Sequence, residues 1–190
     1  WALEQGEATL PETFEFGDET VNVKDYMDDV RTLGMVVLHD DAIVYEEYFE
    51  GSTESDKHIS WSVAKSFTSA MIGIAFDEGH IDDIMDSVTK YVPLLKDSGY
   101  NEVPINHILK MSSGVRFDEN YGDPNSDINR MGRMLALNTP IDEFILTLEN
   151  EIESGTVNRY VSMDTQVLAM LLTEAAGQDI TSYFEEKVWK

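Results

Sequence analysis

"SWSVAKSFTSAMIGIAFDEG", residues 60–79, decides how the chain is read. Val63, Phe67, Ala70, Met71 and Ile74 recur at the three-and-four spacing of a buried helix face, and Gly79 supplies a stop. The spacing predicts a helix opening at Ser62, whose first turn holds Ser62, Lys65 and Ser66. Residues three or four apart share a helix face, so Ser62 and Lys65 can meet. A serine hydroxyl is a weak nucleophile until a base takes its proton, and a lysine can do so when desolvation makes its neutral amine accessible. Trp61, Ala64 and Phe67 place apolar groups around Lys65. Helix N–H groups beside Ser62 suit the negative oxygen of a tetrahedral intermediate. The competing reading is a helix-capping serine with a lysine snorkelling off an apolar face.

A Ser-x-x-Lys match is weak by itself: 14 serines and 8 lysines in 190 residues give about half a match by chance to a pattern that can signal acylating chemistry. "SVTK", Ser87 to Lys90, is a second match, but Pro93 follows and no long apolar helix does. It reads as a loop or short turn.

Upstream, "LGMVVLHDDAIVYEEYF" (33–49) reads as a hairpin, with strands Leu33–Leu38 and Ala42–Phe49 around an Asp40-Asp41 turn. Residues 1–20 are polar and acidic and read as coil, followed by a short helix over Val23–Val30. Downstream, Pro104 opens and Gly114 closes "PINHILKMSSG", and Thr139-Pro140 opens "IDEFILTLEN". Between them "RFDENYGDPNSDINR" is turn-rich and acidic. A last long helix is expected over Asp164–Ala176, stopped by Gly177, before a helix-like "TSYFEEKVWK". The organisation is an acidic segment 1–32, a strand pair 33–60 and a helical region 61–190. A lone two-stranded hairpin is marginal, so further strands are expected to complete the sheet, from a second chain or a following segment.

Composition narrows the function classes. Acidic residues outnumber basic ones 37 to 13, a net charge of −24 that repels phosphate backbones and anionic lipid surfaces. Neither nucleic acid nor a membrane is an expected partner. No cysteine is present, which removes disulfides, thiolate metal sites and cysteine nucleophiles. No apolar run approaches the roughly 20 residues that span a bilayer. The chain opens at Trp1 without a signal-peptide pattern, and its compartment stays open. His39, His58, His80 and His107 make no metal-spaced pair, and "DENYGDPNSD" lacks calcium-loop spacing; it reads as an exposed loop, and no metal or organic cofactor is expected.

Three stretches in order carry a family resemblance. "SWSVAKSFTSAMIGIAFDEG" resembles the nucleophile segment of the penicillin-recognising serine hydrolases, in the class C β-lactamase-like branch that includes carboxylesterases and 6-aminohexanoate-dimer hydrolases. "INHILKMSSGVRF" resembles the family's helix and Ser-Gly turn, and "NRYVSMDTQVLAMLL" its Tyr-x-Asn or Tyr-x-Ser motif. The resemblance implies an α+β fold of β-lactamase/transpeptidase type, an antiparallel sheet beside a large helical region, with only the sheet's N-terminal strands present here. It implies Ser62 as acylated nucleophile, Lys65 as base or proton relay, Tyr160 as the phenol serving the leaving group, and Ser162 supporting them from behind. Read alone, Tyr160 is a half-buried aromatic before a helix capped by Ser162 or Asp164, and its place after Ser62 in the family order favours the phenol's role. A small ester or amide would be the substrate, with a β-lactam or D-alanyl peptide as alternatives. The family's third motif, Lys-Thr-Gly or a His-containing variant on later strands, has no match, which keeps a non-catalytic binding protein of this fold in view.

Overall fold

The computed structural model describes residues 3–189; Trp1, Ala2 and Lys190, at the ends of the acidic segment and the final helical stretch, lie outside the described residues. The chain divides into two compact units after Ile59.

In the first unit, β4 (Gly34–His39) and β5 (Ala42–Tyr48) pair antiparallel as the hairpin predicts. Asp40 and Asp41 both have positive φ, 47° and 62°, which two-residue hairpin turns of the right twist require and aspartate tolerates. The N-terminal segment is not the expected coil. β1 (Glu4–Gln5) adds parallel to β5, giving sheet order β1-β5-β4, and β2 (Thr13–Phe16) pairs antiparallel with β3 (Glu19–Asn22) in a separate ribbon. Backbone pairing overrides the polar composition here, since β2 and β3 need little burial to close around Gly17. Helix α1 (Val23–Asp29) follows at once, its N-terminus capped by Asn22, whose side chain accepts from the N–H groups of Lys24 and Asp25.

The second unit is helical. α2 (Val63–Asp77) packs on α6 (Ser162–Ala176), and buried residues of both belong to one apolar core. The buried face of α2 is Thr68, Met71, Ile72 and Ala75, whereas Val63, Phe67 and Ala70 of the expected face are exposed. Both faces of α2 are apolar, so the periodicity locates a helix without saying which face meets α6. Gly177, at φ 68°, ends α6 in the left-handed conformation. The second Ser-x-x-Lys is a single 3₁₀ turn, Val88–Lys90, capped by Ser87.

Other helices are shorter than their patterns suggest. α3 (Ile105–Leu109) stops where Met111 takes φ 51°, and α5 (Asp142–Ile145) gives way to a turn and an irregular stretch. There the carbonyls of Leu148 and Glu149 accept from Gly99 and Arg116, and Val115 bridges Asn150. These partners compete with helix continuation. α4 (Asp127–Ala136) goes unforeseen: Ser126 caps it, while Ile128, Met131 and Met134 pack on the core. The chain closes with α7 (Ile180–Phe184) and a π-helical turn, Glu185–Trp189. No helix among the described residues is long and apolar enough to cross a membrane.

Candidate active site

Ser62 stands just before α2 with helical backbone (φ −68°, ψ −10°), and its side chain makes no capping hydrogen bond. The helix-capping reading therefore fails. Trp61, immediately before it, holds φ 45°, a left-handed conformation that costs a non-glycine residue about 1 kcal/mol or more. That turn presents Ser62 at the surface. Lys65 Nζ donates to Ser62 Oγ at 3.4 Å, one helical turn on, and the Tyr160 hydroxyl donates to the same oxygen at 2.8 Å. Lys65 Nζ also lies 5.4 Å from the centroid of the Tyr160 ring. The three residues singled out from the sequence are thus brought together on one hydroxyl.

The surroundings of Lys65 differ from expectation. Lys65 is half-buried, but Trp61 is 79% exposed and Ala64 and Phe67 are exposed too, so they do not wall it in. The first N–H groups of α2 are also spent: those of Val63, Ala64 and Lys65 donate to Ser60, Trp61 and Ser62 carbonyls. An apolar groove of about 490 Å³ runs along the other face of α2, lined by Ala64, Phe67, Met71, Phe184 and Trp189 among others. Ser62, Lys65 and Tyr160 are not in its lining.

Ser162 is buried at 4% exposure and begins α6 without capping it, and Asp164 in the same first turn does not cap it either. The cap comes from Glu119, 43 positions earlier, whose carboxylate accepts from the Ser162 N–H and, at 3.3 Å, from Ser162 Oγ. Tyr121 joins the same cluster. Desolvation raises its phenol, reinforced by Glu119 and Tyr160 and opposed by a hydrogen bond from Ser162. Glu119 and Tyr121 lie in the loop that the sequence reads as exposed and acidic, where no local pattern points to Ser162. Asx turns shape that loop: Asp118, Asn120 and Asp123 side chains accept from the N–H groups of Asn120, Gly122 and Asn125.

In the first turn of α6, Asp164 is fully buried and accepts from the Tyr100 hydroxyl at 2.8 Å, while its second oxygen has no hydrogen-bond partner among the described residues. Burial pushes its pKa up to about 7, although Ser113 and Tyr100 favour the charged form. Arg159 is engaged structurally, donating to Val115 O at 3.2 Å and pairing with Glu151 at 3.0 Å. Each histidine has a different neighbour: His39 Asp40, His58 Ser52, His80 Glu78 and His107 Ser154. Among the described residues no group of three or more acidic or histidine side chains is placed to hold a metal ion.

This arrangement can be set beside known proteins. A Beta-lactamase family model matches residues 21–190. The chain belongs to the Beta-lactamase family. Among curated relatives, the 6-aminohexanoate-dimer hydrolase of Paenarthrobacter ureafaciens is 29% identical over 170 residues, covering 86% of this chain and 43% of the relative. Among solved structures, a Bacillus anthracis protein provisionally named a 6-aminohexanoate-dimer hydrolase has a TM-score of 0.83 at 24% identity, covering 100% of this chain and 52% of the other. A class C β-lactamase has a TM-score of 0.66 at 18% identity, covering 87% of this chain and 45% of the other. The α+β, β-lactamase/transpeptidase-like fold expected from the sequence is thereby the fold of this Beta-lactamase family chain, which spans about half the length of the relatives it matches.

Proposed function

We propose that this family chain is a serine hydrolase that cleaves an ester or amide through an acyl-enzyme, with Ser62 as nucleophile, Lys65 as base or proton relay and Tyr160 as the phenol serving the leaving group. One observation carries the reading: Ser62 Oγ lies within 2.8 Å of the Tyr160 hydroxyl and 3.4 Å of Lys65 Nζ. As the Ser62 oxygen bonds to the carbonyl carbon, its proton passes to the neutral Lys65 amine or to Tyr160 phenolate, and the C=O electron pair moves onto oxygen. The oxyanion draws on the N–H of Ser62 itself, since the next three N–H groups are engaged. Its collapse breaks the bond to the leaving group, which takes a proton from Tyr160, and where Lys65 took the serine proton it passes that proton on to Tyr160. Water then attacks the ester by the reverse proton path and restores Ser62.

A linear amide is the substrate class that the Paenarthrobacter relative's name supports. Further strands, from a second chain or a following segment, complete the sheet in this proposal. In support, β4 is an edge strand among the described residues, and edges are normally paired or covered. A fluorophosphonate probe followed by peptide mapping tests the reading. The expected result is an adduct on Ser62; a folded protein that takes none there, both with and without the strands that complete its sheet, is instead a binding protein on this scaffold.

A further inference from the structure

We infer that Glu119 is a positioning residue that fixes Tyr160 by acting through Ser162, an inference that rests on the role proposed for Tyr160 above. A helix with N–H groups at its start needs an acceptor there, and its dipole favours a negative one. No side chain of α6 caps its own N-terminus. The Glu119 carboxylate does so instead, accepting from both the N–H and the hydroxyl of Ser162. Ser162 is 4% exposed, so these charge-assisted bonds face little competition from water.

Glu119 is itself held in place. The neighbouring Asp118 N–H donates to Asp127 Oδ2 at 2.9 Å, and the Asp118 carbonyl accepts from Ile128 N–H at 3.0 Å. Both partners are on α4, so the carboxylate is carried by a loop clipped to a helix. Tyr160 lies between two anchors: Arg159 N–H donates to Met111 O at 2.8 Å on one side, and Ser162 meets Glu119 on the other. Tyr160 is 46% exposed, which leaves the aim of its side chain to these backbone anchors and to its contacts with Ser62 and Lys65. A glutamine can accept from the Ser162 N–H as glutamate does, whereas alanine cannot.

The test compares E119A and E119Q in the full chain by tyrosine ring NMR and by hydrolysis of a short-chain nitrophenyl ester. The Tyr160 resonance is assigned by its disappearance in Y160F. It should move or broaden in E119A and stay in place in E119Q. In the hydrolysis assay E119A should lower kcat about 10–100-fold with KM little changed, as expected for a displaced group, while E119Q recovers most of the loss. A Tyr160 resonance unmoved in E119A, or displaced equally in E119Q, overturns the inference. A wild-type protein that shows no hydrolysis even with the strands that complete its sheet, while its Tyr160 signal still follows this pattern, supports the positioning role and sinks the hydrolase reading. Should E119A not fold, E119D replaces it, because a carboxylate one methylene shorter cannot hold both Ser162 groups from the same backbone position.

Discussion

The Tyr160 hydroxyl donates to Ser62 Oγ at 2.8 Å across 98 positions of sequence. The two residues stand at the starts of α6 and α2, and the buried faces of those helices share one core. The distance between phenol and hydroxyl is therefore set by helix packing as much as by either side chain. Lys65 reaches the same oxygen from within α2, so one partner depends on local helix geometry and the other on tertiary structure.

Removing either proton-transfer group should separate their roles from simple binding. Lys65→Ala and Tyr160→Phe are each expected to slow acylation of Ser62 by about 10²–10⁴-fold, the usual contribution of such groups. Rates of fluorophosphonate labelling measure this directly, and wild-type rates in either variant would remove that residue from the mechanism.

The other Ser-x-x-Lys supplies a control of matched chemistry. Lys90 Nζ is held by Asp82 and Asp86, each at 2.7 Å, and those carboxylates hold its pKa well above the ordinary lysine value. An amine kept protonated cannot serve as a base. Lys90→Ala should accordingly leave the Ser62 labelling rate unchanged within about twofold, far below the effect of losing a proton-transfer group.

What the sequence made legible follows from the range of each interaction. The Ser62–Lys65 contact spans one helical turn, so periodicity alone exposes it. The Asp40-Asp41 turn and the Gly177 stop are likewise local. Tyr160 was reached through its motif, because nothing local says that it faces a serine 98 positions away. Glu119 was missed since its partner, Ser162, is 43 positions distant and its own surroundings read as a solvated acidic loop. α4 was missed for another reason: Gly132 interrupts it and Asp127, Asn129 and Arg130 dominate its first turn, although the Ile128, Met131, Met134 spacing after Ser126 was a usable signal. The early strands escaped because exposed ribbons carry little hydrophobic pattern.

The turn after α3 should tolerate no side chain at Gly114. Its φ is 79°, and a Cβ would lie 1.9 Å from the Ile152 carbonyl oxygen, which is backbone and cannot rotate away. Gly177 has a similar φ of 68° with open space around it. Gly177→Ala should therefore cost about 1 kcal/mol, the backbone penalty alone. Gly114→Ala should cost on the order of 3 kcal/mol or more, because the clash adds to it. Urea unfolding of both variants checks the difference, and equal losses would show that the turn relaxes around the added carbon.

Asp164 should make stability fall as pH rises through the weakly acidic range. Its folded pKa is raised from 3.8 to about 7, chiefly by burial. The folded state therefore holds a proton that the unfolded chain has already released between those values. The stabilisation is complete below about pH 4, is lost progressively on rising toward pH 7, and changes little above that. The rise corresponds to on the order of 4 kcal/mol across the window. Asp86 and Asp179 have lowered pKa values and act oppositely, losing stability as pH falls, so the total profile mixes both signs. Subtraction isolates the buried carboxyl. Asp164→Asn keeps an acceptor for the Tyr100 hydroxyl but cannot ionise, and its stability relative to wild type should improve steadily from pH 4 to about pH 7. Parallel unfolding profiles for the two proteins would mean that Asp164 is as ionised inside the fold as it is outside.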